Sequence, residues 1–271
     1  MEATGIITFE KNGFAKRLKS MLAVDFRRMF TTKFFYIMVG ICFVMPILIL
    51  VMTTMMDGSV TKNPQTGVET VIEGFDNVWQ VIATRSDTGM GMSMDLTGMC
   101  NINMLYFIIA VLVTVFISDD FRSGYSKNLF AVRAKKSDYV ISKTLICFVG
   151  GACMLLAFIV GAMLGGSIAG LPFDLGATSS GEVAMCMLGK VLLAGAFVPL
   201  YVLWSVVGKE KLWLSMVGSF GTGMLLYTMA PMITPLNSSI VNVALCLIVG
   251  IVLSVGLGAV SNLILNKTSL V

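Results

Sequence analysis

Six long apolar runs, separated by short polar stretches, dominate the chain: 34–56, 96–118, 144–168, 183–207, 212–232 and 240–265. A helix rises 1.5 Å per residue, so about 20 apolar residues cross about 30 Å of hydrocarbon, and each run is long enough. Lys190 is the one charged residue within them. The alternating segments of about ten residues that build a membrane β-barrel are absent. The pattern therefore predicts an all-α integral membrane protein with six transmembrane helices. The first run starts at Phe34 and is longer than a signal-peptide core, with no small-residue cleavage pattern, so it reads as a retained span.

Between the runs the polar positions are also ordered. Over 14–30, Phe14, Leu18, Leu22, Phe26 and Phe30 recur every four residues, widened by Met21 and Met29, while Lys16, Arg17, Lys19, Arg27 and Arg28 cover the other faces. That is a basic amphipathic helix suited to inner headgroups, and with the tail before it forms a cytoplasmic segment 1–33. The segment 57–95 is the one sizeable external insertion. In it Val71, Ile72, Phe75, Val78, Trp79 and Ile82 mark a helical face. The loop 119–143 repeats Phe121, Tyr125, Leu129 and Val132 at helical spacing, broken at Gly124, which predicts a short helix along the membrane. Gly161 and Gly165, Gly166 and Gly170, and Ser254 and Gly258 are small-residue pairs that permit close helix contact, and Pro46 and Pro199 are candidate kinks.

Composition agrees: 56% of residues are hydrophobic and 13% charged, against about 25% charged in a soluble domain, and the mean hydropathy is +0.89. Charge sets the orientation. With the N-terminus inside, sixteen Lys and Arg are cytoplasmic: seven in 1–33, six in 119–143, then Lys209, Lys211 and Lys267. Only Lys62 and Arg85 lie outside. The acids divide seven to eight, so the bias belongs to the basic residues and predicts cytoplasmic termini. Trp204 and Trp213 bracket the turn 208–211 and fit an aromatic belt.

Several chemistries are missing. There is no histidine, which removes histidine triads, zinc-protease motifs and histidine proton relays. Gly189-Lys190 is followed by Val191, so no P-loop occurs, and no catalytic, cofactor or metal site is expected in this chain. No acid sits well inside a run, unlike ion-coupled carriers. The six cysteines read as small core residues, with a Cys100–Cys186 pair left open. Met90, Met92 and Met94 cluster as thioethers do at soft-metal sites, although methionine is common throughout the chain. Lys190 has two readings. Its stem carries the ammonium outward to the headgroups or to Glu182, or it contacts an anionic substrate or lipid.

At 119–143 the chain reads Asp120-Phe121-Arg122-Ser123-Gly124, then Lys127-Asn128, then a basic patch at 133–136 leading to Ser142-Lys143. Preceded by a basic elbow helix, a span, an external segment and a second span, this order resembles the permease subunits of ABC transporters of the ABC-2 (type V exporter-like) family. In place of a re-entrant apolar hairpin before the last span, the chain has a short turn over 231–239. The resemblance implies a coupling loop that docks into a separate ATPase, with Asp120, Phe121, Arg122, Gly124, Lys127 and Asn128 at that surface. It also implies ATP and Mg bound by the ATPase. The expected partners are a cytoplasmic ABC ATPase, a second permease subunit (homodimer or heterodimer) and membrane lipid, with no nucleic acid. The expected location is the bacterial cell membrane, and the expected cargo an amphipathic peptide, drug or lipid-like molecule. The rival reading is a non-transporting immunity or sensor module that binds a ligand through 57–95.

Overall fold

A computed structural model describes residues 13–62, 69–71, 74–85, 100–131 and 135–267. The Met90–Met94 cluster, Ile72, Val132 and Arg133 lie outside the described residues. Helix α1 spans Phe14–Thr31 and α2 Lys33–Met56, followed by strands β1 (Val60–Lys62) and β2 (Glu69–Val71) and a 3-10 turn at Val78–Val81. Then come α3 (Leu105–Arg122), α4 (Tyr125–Ala131), α5 (Lys136–Ala169), α6 (Ser180–Gly208), α7 (Leu212–Tyr227), α8 (Ala230–Ile233) and α9 (Ile240–Lys267). Among the described residues five helices are long and apolar enough to cross a membrane: α2, α3 with its preceding turn, α5, α6 and α9.

The predicted continuous run 212–232 is instead divided, with 16 residues in α7 and four in α8. The cause is Pro231, which has no N–H to continue the ladder and whose ring would meet the carbonyl of Tyr227. Pro46 and Pro199, by contrast, lie inside the continuous helices α2 and α6. The predicted loop 119–143 is also mostly helical. α3 runs on to Arg122, and α5 already begins at Lys136, so Ser142 and Lys143 belong to a helix. Gly124 makes the turn between α3 and α4, with a φ of +73° that a side chain would strain.

Packing follows the small residues. α2 lies on α5, where an ideal Cβ on Gly161 would stand 2.1 Å from the Phe43 carbonyl and one on Gly165 2.7 Å from the Ile47 Cα. α6 contacts α3, α5, α7 and α9 and so occupies the centre of the bundle. At its contact with α9, Ser254 Oγ donates to the Gly195 carbonyl at 3.3 Å. The face of α9 away from α6 presents Val241, Val252 and Val255 outward, as a lipid-facing helix does.

Among the described residues the external segment does not form the predicted helix. β1 pairs antiparallel with β2, Val60 opposite Val71, and the chain then turns at Gly74, Asp76 and Asn77 before the 3-10 turn. Those residues favour turns over helix because their side chains bond nearby backbone: the Asn77 side chain accepts from Trp79 N. Val78 is fully buried and packs over Gly166, and its N–H donates to the Pro172 carbonyl at 3.3 Å. The segment therefore rests on the ends of the helices. All six cysteines are free thiols, so the Cys100–Cys186 pair is not formed.

Candidate functional site

The amphipathic helix α1 divides its labour in a way its phenylalanine stripe conceals. Met21, Asp25 and Met29, four residues apart, are the buried line, whereas Phe14 and Phe26 are exposed to the surroundings. An acid thus stands in the middle of the face that meets the bundle. Such a group is tolerated only when fully paired.

It is paired by α5. Lys143 Nζ lies 2.7 Å from Asp25 Oδ1 and 2.7 Å from Asp120 Oδ2, and all three side chains are essentially inaccessible. Ser142 Oγ donates to the other Asp25 oxygen at 2.6 Å. Asp120, near the end of α3, also accepts from Tyr139 Oη at 2.9 Å and from Arg28 Nη1 at 2.6 Å. The Lys143 ammonium sits 4.2 Å from the Phe116 ring centre, and the Arg28 guanidinium 4.0 Å from that of Tyr125. Two acids and two bases cancel, and every carboxylate oxygen has a partner. Burial works against the charge on Arg28, but the Asp120 carboxylate beside it outweighs that, and the pKa of Arg28 is raised. A further pair, Arg17 Nε to Asp138 Oδ2 at 3.0 Å, joins the start of α1 to the start of α5.

The network joins three elements on both sides of the segment 122–136. Asp120 anchors its beginning, and Asp138, Tyr139, Ser142 and Lys143 anchor its end. Both are tied to α1.

The residues expected at a docking surface fall into two groups. Asp120 and Phe121 are buried, the first in the ion network and the second packed edge-on against Tyr139 with ring centres 6.4 Å apart. Their side chains support the segment from below. Arg122, Lys127 and Asn128 are exposed, and Gly124 is half-buried at the turn. Arg122 Nε also donates to the Glu210 carbonyl at 3.1 Å, which ties the segment to the α6–α7 turn. The role of Asp25 was not visible in the sequence. Its signal was a single acid four residues from both Met21 and Met29.

Lys190 follows neither path suggested for its stem. The ammonium is fully buried and donates to Asn103 Oδ1 at 2.7 Å, while Glu182 closes a capping box with Ser179 at the start of α6. Tyr106 Oη donates to the Lys190 carbonyl at 2.9 Å, so α3 and the 3-10 turn before it (Ile102–Met104) each hold α6 at this level. Among the described residues the buried ammonium has one neutral acceptor and no carboxylate partner, an arrangement that leaves its desolvation cost uncompensated. Lys190→Met is accordingly expected to hold or raise the thermal unfolding midpoint of the purified protein. Asn103→Leu, which strips the ammonium of its acceptor, is expected to lower it.

A family model described as "ABC-2 family transporter protein" matches residues 21–230, from the buried line of α1 to the start of α8. No curated protein and no solved structure matches the chain.

Proposed function

The chain belongs to the ABC-2 family of transporter proteins, and on that premise we propose that it couples a cytoplasmic ATPase to substrate export through the exposed turn between α3 and α5. As a family member it is a membrane permease of an ABC transporter, a multi-pass protein whose family works with an ABC ATPase subunit. The finer reading is ours. ATP and Mg are bound by that partner. Two permease subunits, identical or different, enclose the path. With α7 and α8 counted together as one crossing, six spans leave both termini on the cytoplasmic side of a bacterial cell membrane. The spans offer apolar walls with few fixed charges, which favours an amphipathic peptide, drug or lipid-like cargo.

One observation carries the coupling assignment: an exposed turn bearing Arg122, Lys127 and Asn128 stands directly on a buried ion network that grips α1, α3 and α5. A surface meant to receive force needs accessible contacts above and a stiff base below. The test separates these two layers. Lys127→Glu and Asn128→Ala are expected to weaken association with the ATPase about ten-fold, the effect of losing about 1.4 kcal/mol at an interface, with the unfolding midpoint unchanged. Phe121→Ala is expected to lower the midpoint by opening a cavity worth about 3–5 kcal/mol. Co-purification and ATP hydrolysis unaffected by Lys127→Glu and Asn128→Ala would remove the docking assignment.

The rival reading, a ligand held outside by a non-transporting module, has a place to act. A pocket of about 260 Å³ lies between the 3-10 turn, the segment after α5 and Leu236, and includes Trp79, Asp174 and Thr178. Family membership favours transport, and the pocket is compatible with either reading.

A further inference from the structure

We propose that the groove between α1, α2 and α3 is a binding site for a phospholipid with a primary-ammonium headgroup, of the phosphatidylethanolamine class. The groove has a volume of about 300 Å³, and Phe35, Leu112 and Phe116 form apolar walls, with Arg28, Thr32 and Asp119 at polar positions. It lies where the charged helix α1 gives way, at Thr32, to the apolar helix α2, which is the level of lipid headgroups.

The charges select among lipids. Asp119 is exposed on α3, and among the described residues its carboxylate has no hydrogen bond or ion pair; only its carbonyl is used, by Ser123. Its neighbour Asp120 takes the available cations, Arg28 and Lys143. The Arg28 side chain remains 27% exposed, and one of its five N–H donors is committed to Asp120. The groove therefore presents an unmatched carboxylate beside a guanidinium with donors to spare. A phosphate satisfies the guanidinium. A primary ammonium on the same headgroup satisfies Asp119, donating N–H bonds that the trimethylated ammonium of phosphatidylcholine lacks. Phosphatidylglycerol supplies the phosphate and leaves Asp119 facing net negative charge. The acyl chain takes the apolar walls.

The experiment is native mass spectrometry of the full-length protein, purified with its partner subunits and equilibrated with equal amounts of phosphatidylethanolamine, phosphatidylcholine and phosphatidylglycerol. Retention of phosphatidylethanolamine about five-fold above the other two is expected, the upper range for one solvent-accessible ion pair. Asp119→Asn is expected to abolish that preference and Asp119→Glu to keep it, while a tryptophan in place of Val115, which also lines the groove, fills it (Val115→Trp) and lowers retention of all three. Equal retention of the three lipids, or a preference that survives Asp119→Asn, overturns the proposal. So does exclusion of every lipid from the groove by a second copy of the chain. Asp119 belongs to neither the ion network nor the docking turn, so these results stand apart from the ATPase tests.

Discussion

Lys143→Met is expected to be the most damaging single substitution in the chain, lowering stability by about 3–5 kcal/mol. It leaves Asp25 without a cationic partner and Asp120 with Arg28 alone, and both carboxylates are inaccessible to water. Methionine matches the lysine stem in length, so the loss measures charge and not volume. The decisive comparison is Lys143→Met combined with Asp25→Asn. That pair of changes removes one positive and one negative charge and leaves Arg28 bound to Asp120. If the network is a matter of charge balance, the double variant recovers most of the unfolding midpoint. A double variant as unstable as Lys143→Met alone would assign the role of Lys143 to packing against Phe116 instead.

Gly161→Leu is expected to separate α2 from α5. The Cβ of any side chain there meets a backbone carbonyl and the Pro46 ring at 2.8 Å, neither of which yields as the end of a flexible chain does. Overpacking a core costs about 1–3 kcal/mol where side chains move aside, and here the obstacle is backbone, so the loss sits at or above that range. Even Gly161→Ala introduces the offending atom. Gly40→Ala, on the same helix pair, has nothing within 4 Å of the added methyl and is expected to be neutral or slightly stabilising. Thermal unfolding of the three variants in one detergent checks the contrast. Equal midpoints for Gly161→Ala and Gly40→Ala would show that α2 can shift to accommodate a side chain.

The membrane-spanning helices were legible because an uninterrupted apolar run of span length admits few other structures. The Gly161 and Gly165 pair was legible as a possibility, and only the approach of Phe43 and Ile47 distinguishes it from spacings that arise by chance. Elsewhere local pattern failed for identifiable reasons. Asp119, Asp120, Phe121 and Arg122 look like the entrance to a loop, but α3 continues through them and turns about 100° per residue, burying the middle two and exposing the outer two. Asp25 and Lys143 are 118 positions apart, and no periodicity in either helix announces that they meet. Nothing in the sequence marks Asn103, 87 positions away, as the neighbour of the Lys190 ammonium. The external segment misled through true apolar spacing, because Phe75, Val78 and Ile82 are buried as expected but reach the bundle through a hairpin and a tight turn.

The 34 residues of α5 extend about 51 Å, some 20 Å more than the hydrocarbon layer. A rod that overhangs its support is a lever. If α5 pivots at its outer end, where Gly165 and Gly166 are wedged against α2 and Val78, a tilt of about 5° displaces the Lys136 end by about 4 Å. Arg17 and Asp138 fasten α1 close to that moving tip, so the elbow helix travels through nearly the whole arc and sweeps the lipid it lies on.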